Sequence, residues 1–330
     1  MYFTVMNILI RLPNWLGDMV MSTAFVQAVK DEYPHATIDL IAKKGIEFLL
    51  DYFPVHGHAF IFSKEQHKGL GGLRRFGKMI AAQKNYDLFF CLPDSFSSAM
   101  MGHATAATQR VSFKKELRSV FLTHTYTKKK DLHRVEEYVD LLRQFAKKEI
   151  AVPPVQLKMD HATKGNAVVI NINSEADSRR LPAEKAISII NAVRNAIPNE
   201  IILVGSDKDA GFVQKITNYL SDKTNITNKA GETSLPELLQ IFTGSAVVVT
   251  TDSGPAHIAN ALGVPTIVLF GAGNENNTAP YNKENRTIIR LGQLACEPCV
   301  NNTCKLYGVP QCLVRLDEQI IVSAVTNVLT

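Results

Sequence analysis

Short apolar runs of β-type residues alternate with longer segments of helical periodicity along most of this chain, and that alternation narrows its fold more than any other feature. A parallel strand must be followed by a long crossover, and an amphipathic helix supplies one, so the pattern reads as βαβ units. In the first half the expected strands are Val5–Arg11, Thr37–Ala42, Ala59–Phe62, Tyr86–Leu92 and Arg110–Ser112. In the second half they are Ala167–Ile172, Glu200–Val204, Ala246–Thr250 and Thr266–Phe270. Between the halves lie Ala151-Val152-Pro153-Pro154-Val155 and the polar stretch Asp160–Asn166. Adjacent prolines cannot continue a helix and favour extended chain, so this segment reads as a linker. The expected architecture is α/β: two doubly wound, Rossmann-like domains with parallel sheets, residues 1–155 and 156–330, facing a central cleft. Asp317–Leu329 has helical spacing through Ile320, Val322, Ala324, Val325 and Val328, and is expected to end the chain as a packed helix.

At 330 residues and 46% hydrophobic, the chain is long enough for two cores. No apolar run approaches the ~20 residues that span a bilayer. The first residues carry no basic stretch before their apolar run and no small-residue cleavage site, so the cytoplasm is the expected compartment. The net charge of +5 is unevenly spread: residues 1–155 hold 21 Lys and Arg against 15 Asp and Glu, and the remainder hold 15 against 16. The excess lies mainly in Lys114-Lys115-Glu116-Leu117-Arg118 and Lys128-Lys129-Lys130. Such runs are either a solvated face or a dock for an anionic surface such as a membrane interface.

Two segments place chemistry where a strand meets a helix. In Ile8–Val20 a strand enters a turn, and a helix is expected from about Gly17 with Val20, Phe25, Ala28 and Val29 on its apolar face. Open α/β sheets bind ligands at such strand ends, which puts Asp18 at a cleft edge; the plainer alternative is a carboxylate that caps the helix. The second segment is Thr250-Thr251-Asp252-Ser253-Gly254-Pro255-Ala256-His257. Asp252 or Ser253 can cap, Gly254 permits close approach to the backbone, and Pro255 suits the first helical position. A helix start of this kind favours a diphosphate, and His257 lies one turn inside it. No G-x-G-x-x-G follows the first strand, which disfavours a nicotinamide dehydrogenase.

Asn173–Pro182 carries the adjacent Arg179 and Arg180 just beyond a strand, where they suit either phosphate clamping or a charged surface. Cys296, Cys299, Cys304 and Cys312 form a cluster whose spacing matches no common zinc finger, leaving a metal site or a packed, redox-sensitive thiol loop open. Asp207-Lys208-Asp209 is too short a pattern to assign a metal.

Arg11-Leu12-Pro13-Asn14-Trp15-Leu16-Gly17-Asp18, with Met19–Thr23 after it, resembles the N-terminal motif of the ADP-heptose:lipopolysaccharide heptosyltransferases, glycosyltransferase family nine, in the likeness of the second heptosyltransferase. Asp252–His257 resembles the family's D-S/T-G-x-x-H segment. Cys296-Glu297-Pro298-Cys299 with Cys304 and Cys312, and His133–Tyr138, resemble further shared stretches.

The resemblance implies a GT-B fold, with the acceptor bound mainly by the first domain and the nucleotide sugar mainly by the second. It implies transfer with inversion, no metal and no cofactor. By the same resemblance Asp18 is the general base, and Arg179 neutralises the leaving diphosphate. Arg180, Asp252, Ser253, Gly254 and His257 bind the donor, and Arg11, Asn14 and Trp15 face the acceptor. The implied partners are ADP-heptose and a lipopolysaccharide inner-core acceptor at the membrane surface, with no nucleic acid; contact is expected at the inner face of the inner membrane. Two departures stand out: Arg179 occupies a position where the family usually has Lys, and Leu181 one where it has Trp. A nucleotide-sugar epimerase and a non-catalytic nucleotide-sugar-binding scaffold remain the competing readings.

Overall fold

The computed structural model describes residues 5–159 and 165–330, apart from the side chain of Glu116. Most of the polar stretch Asp160–Asn166 therefore lies outside the described residues. The chain divides into two compact units, Met1–Lys158 and Met159–Thr330.

The first unit contains strands β1 (Asn7–Arg11), β2 (Thr37–Lys43), β3 (Ala59–Phe62), β4 (Leu88–Cys91), β5 (Gln109–Phe113) and β6 (His124–Tyr126). Its α-helices are α1 (Leu16–Met21), α2 (Thr23–Glu32), α3 (Gly69–Gln83), α4 (Phe96–Ala104) and α5 (Arg134–Ala146). All neighbouring strands pair in parallel, in the order β3-β2-β1-β4-β5-β6. The winding direction thus reverses between β1 and β4, and ligands of open α/β sheets bind beyond the carboxyl ends of strands at such a point.

The second unit contains β7 (Ala167–Asn171), β8 (Ile201–Leu203), β9 (Ile226–Asn228), β10 (Ser245–Thr251), β11 (Thr266–Phe270) and β12 (Arg286–Arg290). Its helices are α6 (Ala183–Ala196), α7 (Ala210–Asn218), α8 (Leu235–Thr243), α9 (Gly254–Ala261), α10 (Glu275–Thr278), α11 (Gln311–Val314) and α12 (Glu318–Leu329). The sheet runs β12-β11-β10-β7-β8-β9, again all parallel. Counted from its own first strand this is the same winding, with the reversal between β7 and β10.

The central strands are apolar on both faces because helices cover both faces of a parallel sheet. Ile8, Leu9 and Ile10 in β1, Phe89 and Phe90 in β4, and Val248 in β10 are fully buried. Each such side chain contributes about 1.5–3 kcal/mol relative to exposure. Helices supply the matching apolar stripes: Phe25, Val26 and Val29 from α2, and Ile189, Ile190 and Val193 from α6.

Four differences from the sequence expectations have physical causes. β6, β9 and β12 are additional strands, and all three lie at sheet edges. An edge strand has one partner and needs no continuous apolar run; β6 reads His-Thr-Tyr and β9 Ile-Thr-Asn. The single helix expected from Gly17 is two helices broken at Ser22. There the Ser22 hydroxyl donates to the Met19 carbonyl (2.7 Å) and the Thr23 hydroxyl to that of Val20 (2.9 Å), a back-bonding that bends helices. The proline stretch is laid against the first unit: Val155 and Leu157 are buried, Gln156 N–H donates to Thr23 Oγ1 (3.2 Å), and Lys158 N–H donates to the Tyr52 carbonyl (2.7 Å). In α12 the inward face is Ile321 and Val325, whereas Ile320 is 55% exposed.

Candidate active site

In the first unit, chemistry gathers where β1 ends. Arg11, expected to face the acceptor, closes the strand and is only 2% exposed. Its guanidinium donates to the carbonyls of Leu12 (2.7 Å) and Ile41 (3.1 Å) and to Asn14 Oδ1 (2.5 Å). Those bonds brace the turn, and burial lowers its pKa to about 10, with the neighbouring Cys91 opposing that shift. Asn14 is held by that bond, and Trp15 is 63% exposed at the N-cap of α1 with no side-chain cap bond.

Asp18 lies in the first turn of α1, where the helix dipole favours a carboxylate. Arg134, opening α5, brings Nε to 3.7 Å from Asp18 Oδ1 and Nη1 to 2.8 Å from Glu137. Glu137 also takes Lys128 (2.7 Å), which reaches Asp94 beyond β4 (2.6 Å), and Asp94 lies 3.5 Å from Arg118. Tyr138 is buried against this network; burial first, and then the charge of Asp18, hold its phenol well above the usual range. The Arg134 pKa is raised although burial works to lower it, because Tyr138, Glu137 and Asp18 outweigh that penalty.

In the second unit the site forms at the reversal between β7 and β10. Asn171, at the end of β7, donates to Thr250 Oγ1 (3.0 Å) and Ser253 Oγ (3.1 Å), and the Thr251 hydroxyl donates to the Asn173 carbonyl (2.6 Å). This network fixes the loop that presents Asp252. Ser253 is the N-cap of α9 by backbone but makes no side-chain cap bond. Helix α9 begins at Gly254, which places Pro255 second in it rather than first, and His257 is buried one turn in.

Asp252 is 3% exposed, and its Oδ2 lies 3.4 Å from Arg179 Nη1. Burial raises its pKa, while the cations of Arg179 and Arg290 pull it back. Asp252 Oδ2 and Arg179 Nε are buried polar atoms that make no hydrogen bond. Arg180 diverges from its neighbour: it donates to Asp209 Oδ1 (2.5 Å), stacks over Phe212 and bonds the Ser174 carbonyl (3.2 Å).

The Arg179 turn is held from the C-terminal side. Ser178 donates through N–H to the Asn302 carbonyl (3.1 Å) and through its hydroxyl to that of Asn301 (2.5 Å). Arg290 clamps the loop after β11 by donating to the carbonyls of Gly271 (2.9 Å) and Gly273, and pairs with Glu297 (3.3 Å). Cys296, Cys299, Cys304 and Cys312 line one small cavity next to Ser178 and Ala272 as free thiols. Burial and then the charge of Glu297 push Cys312 up to about 11. Among the described residues no three His, Cys, Asp or Glu side chains are arranged to hold a metal ion.

Two parallel, doubly wound sheets, each with charged side chains at its reversal, make a frame that can be compared with known proteins. The profile described as glycosyltransferase family 9 (heptosyltransferase) matches residues 73–309. The chain belongs to that family. The lipooligosaccharide heptosyltransferase 2 of Haemophilus influenzae is 30% identical over 315 residues, covering 87% of this chain and 89% of that protein. The solved Escherichia coli ADP-heptose lipopolysaccharide heptosyltransferase II superposes with a TM-score of 0.83 at 24% identity, over 98% of each chain. A family 9 glycosyltransferase from Veillonella parvula superposes at 0.85 with 19% identity, over 100% of this chain and 98% of that one. The two units therefore make up a GT-B glycosyltransferase fold.

In this family 9 glycosyltransferase, sequence reasoning gave no site role to Arg134, Asn171, Thr251, Arg290 or Gly273. Arg134 carried a signal by lying in the His133–Tyr138 stretch, Thr251 by preceding Asp252, and Gly273 by lying in the glycine-bearing loop after the strand Thr266–Phe270; Asn171 and Arg290 carried none. Gly273 shows why the loop after β11 is small: a Cβ there would lie 2.0 Å from Asp252 Oδ2. Gly273→Ala is therefore expected to displace the Asp252 carboxylate from its place 3.4 Å from Arg179. A crystal structure of the variant checks this, and an unmoved Asp252 would contradict it.

Proposed function

We propose that this chain is an inverting transferase that moves a heptose from ADP-heptose onto lipopolysaccharide inner core, onto a heptose already in place. The first unit binds the acceptor and the second binds the nucleotide sugar. Family membership and relatives that carry the heptosyltransferase name support this. The observation that carries the mechanism is the Asp18 carboxylate, 3.7 Å from Arg134 at the reversal point of one sheet, with the Asp252–Arg179 pair at the reversal point of the other.

In the proposed step the acceptor hydroxyl oxygen attacks the anomeric carbon while its proton passes to Asp18. The bond from that carbon to the diphosphate oxygen breaks, and ADP leaves with the electron pair. One displacement inverts the anomeric configuration. Arg179 and the open first turn of α9 oppose the charge that develops on the diphosphate. Asp252 keeps Arg179 in place and is the acceptor for a donor hydroxyl, with Ser253, Gly254 and His257 around it. The reaction belongs at the cytoplasmic face of a membrane that carries the acceptor; among the described residues no helix is long and apolar enough to cross one.

Arg179 and Leu181, in place of the family's usual Lys and Trp, favour a second reading with a different nucleotide sugar. Mass spectrometry after incubation of a heptose-ended core oligosaccharide with a panel of nucleotide sugars separates the two. Gain of one heptosyl unit from ADP-heptose alone supports the first reading. Gain of another sugar supports the second, and donor consumed with no acceptor modified points to an epimerase.

Arg134 is expected to act as a positioning residue. Since the charge of Asp18 raises the Arg134 pKa, Arg134 in turn favours the Asp18 carboxylate, alongside the opposing charges of Glu137 and Asp94 and the phenol of Tyr138. Arg134→Ala should lower kcat about tenfold or more and move the acidic limb of the pH–rate profile to higher pH, with Arg134→Lys in between. A uniform loss of rate with an unmoved profile would make Arg134 structural only.

A further inference from the structure

A 3-10 helix spans Glu116–Phe121 directly after β5, so it stands at the carboxyl edge of the first sheet, as do Asp18 after β1 and Asp94 after β4. With about three residues per turn, side chains at i and i+3 eclipse, which sorts this helix into rows. Arg118 and Phe121 form the inward row. Arg118 is 2% exposed and donates to the Pro93 carbonyl (2.8 Å) and to Ser112 Oγ, and the Phe121 ring meets Phe96 edge-on at 5.1 Å. Leu117 and Val120 form the outward row, 77% and 75% exposed, the highest values among the described large apolar side chains. Phe96, packed on Phe121, is itself 42% exposed.

The charges around this ridge sort themselves too. Lys128 is taken up by Asp94 and Glu137, and Lys129 by Asp140. Lys114 and Lys115 are exposed and make no ion pair among the described residues. Among the described residues, then, both lysines of the first basic run stand outside any ion pair.

We infer that Leu117 and Val120, flanked by Lys114 and Lys115, dock this chain on an anionic lipid surface. The apolar pair enters the headgroup boundary and the lysines meet anionic headgroups. Arg118, anchored on Pro93 and Ser112, keeps the ridge rigid, so no ordering of a loose loop opposes docking. This rests on the proposed function in one respect: an acceptor anchored in that surface is then brought to the sheet edge that holds Asp18.

Flotation of the full chain with phosphatidylglycerol–phosphatidylethanolamine vesicles, against phosphatidylcholine vesicles alone, tests it without donor or acceptor. The wild type should float with the anionic vesicles and be released by salt. The Lys114→Gln/Lys115→Gln variant should partition about 30-fold more weakly, from ~1 kcal/mol for each lysine near an anionic surface. Leu117→Asp/Val120→Asp should abolish flotation, and both variants should transfer to a soluble, delipidated acceptor at the wild-type rate. A wild type that ignores anionic vesicles, or variants that float as well as it does, would overturn the inference. So would a Leu117/Val120 variant that dissociates an oligomer with vesicle binding intact, since the ridge would then be covered by a second copy. A chain that floats but transfers nothing would sink the transferase reading and leave the docking surface standing.

Discussion

Asp18→Asn is expected to lower kcat for acceptor-dependent transfer by ~10²–10⁴, the usual worth of a positioned general base, while ADP-heptose binds within about twofold of wild type. The amide keeps the size of the side chain and its place in the first turn of α1, but it cannot take the hydroxyl proton. Asp18 is partly exposed, its side chain 26% accessible, so the substitution does not open the core. The alternative role, a first-turn carboxylate that merely complements the helix dipole, is worth only about 0.3–1 kcal/mol of stability and leaves kcat untouched. Rate and melting temperature measured on the same preparation distinguish the two: a large fall in rate with little change in stability marks the base, and the reverse marks the cap.

Arg179→Ala is the second large effect, and it has two parts. Loss of the cation removes charge stabilisation from the departing diphosphate, for which ~10²–10³ in kcat is expected. It also strands Asp252, which is 3% exposed and then lacks the ion-pair partner 3.4 Å away. Leaving one member of a buried pair alone destabilises by up to about 3 kcal/mol here, below the usual range because Arg179 is partly exposed. Its pH dependence has a definite sign. The Asp252 pKa is already raised in the folded protein by burial, so its contribution is most favourable below the ordinary carboxylate range and is lost as pH rises through the folded value. Without Arg179 the folded value rises further. The melting-temperature deficit of the variant should accordingly be largest near neutral pH and shrink on acidification. Arg179→Lys, which restores the charge without the planar fork, should recover most of the rate. A deficit that grows on acidification would contradict the assignment of Asp252 as the stranded group.

The parts of the fold legible in the residue pattern are those whose physics is local. β1, β4, β10 and β11 are covered on both faces, so Ile8–Ile10 or Val247–Val249 stand out as continuous apolar runs. The edge strands β6, β9 and β12 leave no such mark. Asp18 and Asp252 could be picked out because each lies where a strand passes into a helix. The partners that define their electrostatics come from distant segments: Arg134 reaches Asp18 from α5, and Arg290 reaches the loop beside Asp252 from the edge strand β12. Arg11 shows a different limit of the sequence. A cation at a strand end reads as a ligand contact, and only the structure shows its guanidinium bonded to the Leu12 and Ile41 carbonyls and to Asn14 Oδ1. Adjacent Arg179 and Arg180 looked equivalent, but one turn of 3-10 helix sends one to Asp252 and the other to Asp209.

The most direct test is release of ADP from ADP-heptose by the purified wild-type chain, with and without a truncated core acceptor that ends in heptose. Release that depends on the acceptor, with one ADP formed for each heptose transferred, is the result predicted. Donor turned over equally fast without acceptor, or bound tightly and never transferred to any heptose-ended core, would contradict the transferase account.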